Sequence, residues 1–259
     1  MSATGTIRVA THERVTELHL DNGTHRNAIT LAMWDALLHF AENIAGDSIT
    51  RAIIVTGNET VFSAGADIGD FATERAPGHT RRYDDRVEGA LRALERVPQP
   101  TIACIAGPCM GAGASLASSC DIRVAADDAY FMVPSGRLGL GYDPRGIARL
   151  VRVFGDPAVR QLLLLADRYD ARTAHTQGSV HRLVRPGQVL EEGRRLARSI
   201  AEHAPLTLRA AKATLTALAG TEDGSAEMWR LCEQADASAD YLEGLDAFRH
   251  KRKPDFRGL

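Results

Sequence analysis

Cysteine is scarce in this chain of 259 residues, which holds only 4. Cys104, Cys109, Cys120 and Cys232 show no paired spacing of the metal-binding or redox type, and three of them sit among apolar or small residues, where a thiol behaves as a small hydrophobe. No chemistry is assigned to them, and neither a metal nor a redox cofactor is expected. An excess of charge is also missing: 31 Lys and Arg stand against 33 Asp and Glu, giving a net charge of −2, with no run of like charge before the last ten residues. That argues against general nucleic-acid binding. No apolar stretch approaches the length of a membrane span, and Met1-Ser2-Ala3-Thr4-Gly5 has neither the basic start nor the apolar core of a signal peptide. A soluble cytoplasmic protein without a membrane partner is expected.

What is present is enough apolar material, 44% of the residues, for one large domain or a domain with a helical appendage. Residues 6–10 and 14–20 alternate apolar and polar side chains around a polar turn and predict a hairpin. Thr30 caps a helical pattern through Leu31, Trp34, Leu37, Leu38 and Ile44, which Gly46 stops. The run Ala52-Ile53-Ile54-Val55 predicts a buried strand within 51–56. Residues 67–80, with Gly69, Pro77 and Gly78, predict a loop, although Asp67 and Asp70 stand where a helix start would favour carboxylates. A helix is expected over 80–96, ended by Pro98 and Pro100, and a buried strand over 101–106. A helix over 112–119 and short strands over 121–125 and 129–133 follow. Beyond Pro144 the strand signal nearly vanishes, apart from 180–184. Asp156-Pro157 predicts an N-cap with proline at the first helical position, and Ala204-Pro205 opens a helix through residue 218. The order predicts an α/β core over residues 1–200 and an α-helical region over 201–259.

Two glycine-rich stretches follow β-rich apolar runs: Phe62-Ser63-Ala64-Gly65-Ala66-Asp67-Ile68 and Gly107-Pro108-Cys109-Met110-Gly111-Ala112-Gly113-Ala114-Ser115. Small residues at strand ends let a ligand approach the main chain closely, and two such places can aim a pair of backbone N–H groups at one carbonyl oxygen. That is the outline of an oxyanion hole. It implies a carbonyl that becomes negatively charged without naming the group that moves the proton or bond.

Together with Arg26-Asn27-Ala28-Ile29, Leu138-Gly139-Leu140, the segment 146–150 and an ending that runs from Tyr241-Leu242-Glu243-Gly244 to Lys251-Arg252-Lys253-Pro254, these stretches resemble the crotonase (enoyl-CoA hydratase/isomerase) superfamily from about residue 27 to residue 253. The resemblance implies a crotonase-like spiral of β-β-α turns with an α-helical C-terminal trimerisation region. It also implies an acyl-CoA thioester substrate, with coenzyme A arriving as part of that substrate, and a homotrimer or dimer of trimers. By motif position the oxyanion hole falls on the N–H groups of Ala66 and Ala112. Coenzyme A contacts fall on Arg26, Asn27 and Ala28, on Ala64 and Ile68 beside the thioester, and on Phe248 and Lys251 near the end. The cluster His250-Lys251-Arg252-Lys253 is then either a phosphate clamp or a solvated tail.

The chain departs from the hydratase pattern where that pattern has two glutamates, because Ser115 and Ser135 stand at those positions. A serine hydroxyl is a poor acid or base near neutral pH. The proton-handling candidates move to Gly141-Tyr142-Asp143-Pro144-Arg145-Gly146, where the resemblance gives Asp143 the position of a catalytic aspartate of dienoyl-CoA isomerases and Tyr142 that of a decarboxylase tyrosine. Asp143 before Pro144 reads equally as the N-cap of a helix through residue 153, Tyr142 as a wall for the acyl chain, and Arg145 as a partner for a surface acid or a substrate carboxylate. Asp70 and Glu74 are the other acids near the first oxyanion donor, with a structural role by default. The expected enzyme is an isomerase or decarboxylase working through a thioester enolate, with Asp143 as its acid–base group and Tyr142 assisting. A catalytically silent acyl-CoA-binding protein and an atypical hydratase are the alternatives. A dinucleotide fingerprint at Gly111-Ala112-Gly113 lacks its third glycine at Leu116, and a hydrolase elbow at Ser115 lacks its final glycine at Ala117.

Overall fold

A computed structural model of the chain describes residues 5–76, 78–218 and 225–259; Pro77 of the expected loop and Met1 to Thr4 lie outside them. The predicted hairpin is β1 (Thr6–His12) paired antiparallel with β2 (Val15–Asp21). Thr30 caps α1 (Leu31–Ile44), its hydroxyl accepting from the Met33 N–H, and the apolar stripe through Trp34 and Leu37 is buried. Next comes β3 (Ala52–Thr56), with all its residues buried as a continuous apolar run requires. It runs parallel to β2 on one side and to β4 (Thr101–Ile105) on the other.

Between β3 and β4 the expected loop contains a helix, α2 (Ile68–Glu74), followed by α3 (Thr80–Arg96) over the predicted range. The Asp67 carboxylate accepts from the Gly69 N–H at 2.9 Å, and Asp70 accepts from the Leu31 N–H at 2.7 Å, binding α2 to the start of α1. Gly69 lies in the first turn, where capping outweighs its weak helix propensity.

After β4 come β5 (Pro108–Met110) and α4 (Ala112–Ser118), then β6 (Ile122–Ala126) and β7 (Tyr130–Met132). A 3₁₀ turn over Ser135–Leu138 precedes α5 (Pro144–Phe154) and α6 (Asp156–Arg160). Asp156 is the first helical residue of α6 rather than its cap, because Gly155 turns the chain with φ of 79°. A short π-helical turn over Gln161–Leu165 extends α6, and the remaining strands and α-helices are β8 (Tyr169–Asp170), α7 (Ala171–Thr176), β9 (Arg182–Val184), α8 (Val189–Ala201), α9 (Pro205–Leu218), α10 (Ser225–Asp236) and α11 (Ala239–His250).

Six strands form one sheet in the order β1-β2-β3-β4-β6-β9, parallel except for the hairpin, and β5-β7-β8 form a second. The β5 and β8 segments are too short to leave a periodic signal in the sequence. The fold is mixed α/β with a helical C-terminal region. Among the described residues no helix is long and apolar enough to cross a membrane.

Candidate active site

A cavity of about 350 Å³ opens where the two glycine-rich stretches meet α1, α3 and the start of α5. A parallel bridge pairing Ser63 with Cys109 joins the two stretches, and a second, Ile29 with Ala66, ties the first of them to the segment before α1. Gly65 has φ of 111° and Gly111 has φ of 47° with ψ of −111°, conformations a side chain strongly disfavours. The two glycines face each other: a Cβ on Gly65 would stand 3.9 Å from the Ala112 nitrogen, and one on Gly111 would stand 3.9 Å from the Gly65 Cα.

Each glycine precedes a candidate donor. Ile29 bonds to Gly65 and Asp67, at 2.7 and 3.0 Å, so the intervening Ala66 N–H turns to the other side of the chain. The Ala112 N–H opens α4, where it has no intrahelical acceptor. Neither donates a backbone hydrogen bond among the described residues, and both alanines line the cavity.

Ser115, one turn into α4, and Tyr142, just before α5, bring their hydroxyl oxygens within 2.7 Å of each other. The Tyr142 hydroxyl also approaches the Gly111 carbonyl at 3.4 Å. Burial pushes the Tyr142 phenol above its ordinary pKa, against the opposing hydrogen bond from Ser115, so it is a neutral O–H at physiological pH. Ser135 lines the cavity from the 3₁₀ turn.

Every carboxylate lining this cavity is engaged by an arginine. Asp143 caps α5 through the Arg145 N–H at 2.8 Å, and the Arg145 guanidinium grips both its oxygens while also reaching Asp85 at 2.7 Å. Burial works to raise the Asp143 pKa, but the Arg145 hydrogen bonds prevail and hold it below the usual carboxylate range. Asp84 takes a two-pronged contact from Arg75, at 2.9 and 3.1 Å, and Arg75 also donates to the Gly141 carbonyl. Glu88 accepts from Arg149 on both oxygens at 3.0 Å and from Arg92 at 2.7 Å. Both readings of Asp143 as cap and Arg145 as its partner's clamp thus describe the same contact.

The other sequence candidates are dispersed. Ala64 and Ile68 line the cavity, Ile68 being largely exposed on α2. Arg26 is exposed in a left-handed conformation, and its carbonyl accepts from the Ala64 N–H. Asn27 is buried and donates to the Val61 carbonyl at 3.2 Å, and Ala28 is buried beside it. Phe248 and Lys251, both exposed at the end of α11, are not among the residues lining this cavity. In the basic tail, Arg252 pairs with Glu243 and Asp246, and Lys253 with Glu202. Asp67 and Asp70 cap and anchor α2, and Glu74 is exposed.

Trp34, which the sequence places only in the apolar stripe of α1, lines the same cavity, as do Phe71 and Tyr83, which no sequence motif marks. Their spacing is that of core residues, and no local signal separates a pocket wall from a core. Trp34 Nε1 and Tyr83 Oη are buried without a hydrogen-bond partner.

The profile of the Enoyl-CoA hydratase/isomerase family matches residues 10–258. The chain is 34% identical to the probable enoyl-CoA hydratase echA6 of Mycobacterium tuberculosis, over 97% of this chain and 99% of that one. It is 32% identical to the 2,3-dehydroadipyl-CoA hydratase of Escherichia coli, over 96% of this chain and 98% of that one. Its fold superposes with a TM-score of 0.93 on the crystal structure of an enoyl-CoA hydratase/carnithine racemase from Magnetospirillum magneticum, at 33% identity, covering 99% and 97% of the two chains. The architecture is that of the crotonase superfamily, whose members process acyl-CoA thioesters. The chain belongs to the enoyl-CoA hydratase/isomerase family, as the resemblance in its motifs implies.

Proposed function

We propose that this enzyme forms a thioester enolate whose oxygen is held by the Ala66 and Ala112 N–H groups and whose carbon is protonated by Tyr142, with decarboxylation of a carboxylated acyl-CoA as its reaction. The carrying observation is that Asp84, Glu88 and Asp143 are each committed to an arginine, while the Ser115–Tyr142 hydroxyl pair adjoins the turn that presents Ala112. Hydration needs a group to activate water, and isomerisation needs a base whose pKa lies near the working pH. A carboxylate held low by Arg145 suits neither.

Decarboxylation asks less of the protein. The bond between the α-carbon and the departing carboxylate breaks, CO₂ leaves, and the electron pair enters the thioester carbonyl as an enolate. The α-carbon then takes the Tyr142 proton, which water restores through Ser115. The two amides supply stabilisation only as charge develops, worth on the order of 3 kcal/mol each. The Asp143–Arg145 pair fixes the start of α5, and hence the Tyr142 ring. A trimer or dimer of trimers would cover the exposed apolar side chains of the C-terminal helices, such as Trp229 and Phe248.

Incubating the protein with malonyl-, enoyl- and dienoyl-type CoA esters in heavy water, with mass spectrometry of the products, tests this. Loss of CO₂ with one deuterium gained is expected. Gain of water returns the reaction to the hydratase named for the relatives, and deuterium gained with no other atoms added or lost returns it to an isomerase. Tight binding without turnover of any ester supports the second reading, a silent acyl-CoA-binding protein, which the arginine-held carboxylates also favour.

A further inference from the structure

Tyr142 is held at its hydroxyl by Ser115 and along its ring by Gly146, where a Cβ would stand 2.9 Å from Tyr142 Cε1. The residue after it, Asp143, is fixed by its bond to the Arg145 N–H at the start of α5. The residues before it are not packed in this way: a Cβ on Gly139 or Gly141 would meet no atom within 4 Å, and residues 140–143 belong to no helix or strand. A glycine turn with open space beside it draws its order from contacts outside itself.

Arg75, the C-cap residue of α2, supplies such a contact. Its Nη2 donates to the Gly141 carbonyl at 2.9 Å and to Asp84 Oδ2 at 3.1 Å, and its Nε donates to Asp84 Oδ1 at 2.9 Å. The guanidinium also lies over the Phe71 ring, 5.1 Å from its centroid. The side chains of Arg75 and Asp84 are 10% and 19% exposed, so solvent screens these charge-assisted bonds little. Asp84 on α3 fixes the plane of the guanidinium fork, and that plane aims its remaining N–H at the peptide just before Tyr142. An ion pair with Asp84 alone would be a structural tie between α2 and α3; the bond to Gly141 carries it across to the turn that presents the phenol.

We propose that Arg75 is a positioning residue for the acid step: braced by Asp84, it holds the Gly141 carbonyl and so keeps the Tyr142 hydroxyl against Ser115, beside the turn that presents Ala112. The inference rests on the reading of Tyr142 as proton donor and adds the residue that sets where its proton is delivered. The same brace joins the Tyr142 turn to α2, which begins two residues after Ala66, so one guanidinium connects the segment of the first oxyanion donor to that of the acid. Misplacement of a reacting group by about 1 Å can cost on the order of a hundredfold in rate.

Arg75→Lys keeps the charge and a stem over Phe71 but replaces the fork with a point charge. With a malonyl-type CoA ester as substrate, kcat should fall about 10- to 100-fold while KM stays within about threefold. In the Tyr142→Phe background the same substitution should change kcat by less than about threefold, because a residue that acts through the Tyr142 hydroxyl has nothing left to position. Asp84→Asn, which loosens Arg75 without touching the turn, should lower kcat less than Arg75→Lys and add nothing to it; if Arg75→Lys does not fold, Asp84→Asn carries the same comparison of backgrounds. A second readout does not depend on turnover. The chain has 5 tyrosines, and after labelling with fluorotyrosine the fluorine NMR resonance missing from Tyr142→Phe reports Tyr142; Arg75→Lys should shift it. Equal loss of kcat in both backgrounds, a rise in KM with kcat unchanged, or an unmoved Tyr142 resonance overturns the inference and leaves Tyr142 as proton donor. Parental turnover by Tyr142→Phe, or no turnover of any ester by the parent, overturns the reading of Tyr142 and the inference with it.

Discussion

Ser115 Oγ lies 2.7 Å from Tyr142 Oη, joining the first turn of α4 to the residue that precedes the α5 cap. A hydroxyl relay here leads from the cavity wall to the Gly111 carbonyl beside Ala112. Tyr142→Phe keeps the ring and removes the hydroxyl proposed as proton donor, so turnover should fall about 10²- to 10⁴-fold, the span of general acid catalysis, with acyl-CoA affinity little changed. Ser115→Ala should cost less, because water can stand in for the relay. Steady-state kinetics and equilibrium binding on the same preparations decide this.

Gly111 carries the most constrained backbone of the site, with φ of 47° and ψ of −111°. Gly111→Ala should destabilise the fold by roughly 1–3 kcal/mol and turn the Ala112 N–H out of line, lowering turnover more than tenfold. Thermal unfolding and kcat are the two measurements. Equal stability and activity in the variant would mean that the turn tolerates a side chain and that the amide is not fixed by it.

Asp143→Asn separates the cap from the charge, since asparagine caps a helix as well as aspartate. The native carboxylate has a folded-state pKa below its ordinary 3.8. A lowered folded pKa adds stability that is present above the unfolded value and disappears as pH falls through the folded one. The Asn variant should therefore be less stable than the parent above about pH 4, with the gap closing as the parent is titrated below it. Turnover near neutral pH should stay within about threefold. A hundredfold loss with intact affinity would make Asp143 the proton carrier in place of Tyr142.

Arg149 is 4% exposed and holds Glu88 and Glu95 beneath the cavity, where Arg152 also reaches Glu95. Arg149→Met leaves Glu88 buried with less compensation, which typically costs about 3–5 kcal/mol. A fall in Tm on the order of 10 °C should follow. Adding Glu88→Leu should restore part of it, and a double-mutant cycle by chemical denaturation measures the coupling.

Tyr83→Phe should raise the stability of the unliganded protein, by about 1 kcal/mol or more, because it deletes a buried hydroxyl that folding strips of water without replacement. Calorimetry in the absence of any CoA ester checks the sign. Loss of stability would mean that the hydroxyl has a partner in solution.

The sequence by itself determined the scaffold. Runs such as 52–55 and the stripe through Trp34 and Leu37 carry their period locally, Thr30 and Asp143 announce their caps, and the glycine stretches mark where backbone must approach backbone. Only the tertiary structure decided which of those residues meet. It turned 68–74 into a helix, because the bond from Leu31 to Asp70 spans the chain between α1 and α2. It set Ser115 against Tyr142, gave Arg145, Arg75 and Arg149 to the cavity's carboxylates, and left Trp34 and Tyr83 with unpaired donors. The physical reason is range: helix and strand periods are written in neighbours a few residues apart, whereas the protonation and pairing of a side chain depend on charges that the fold brings in from distant segments.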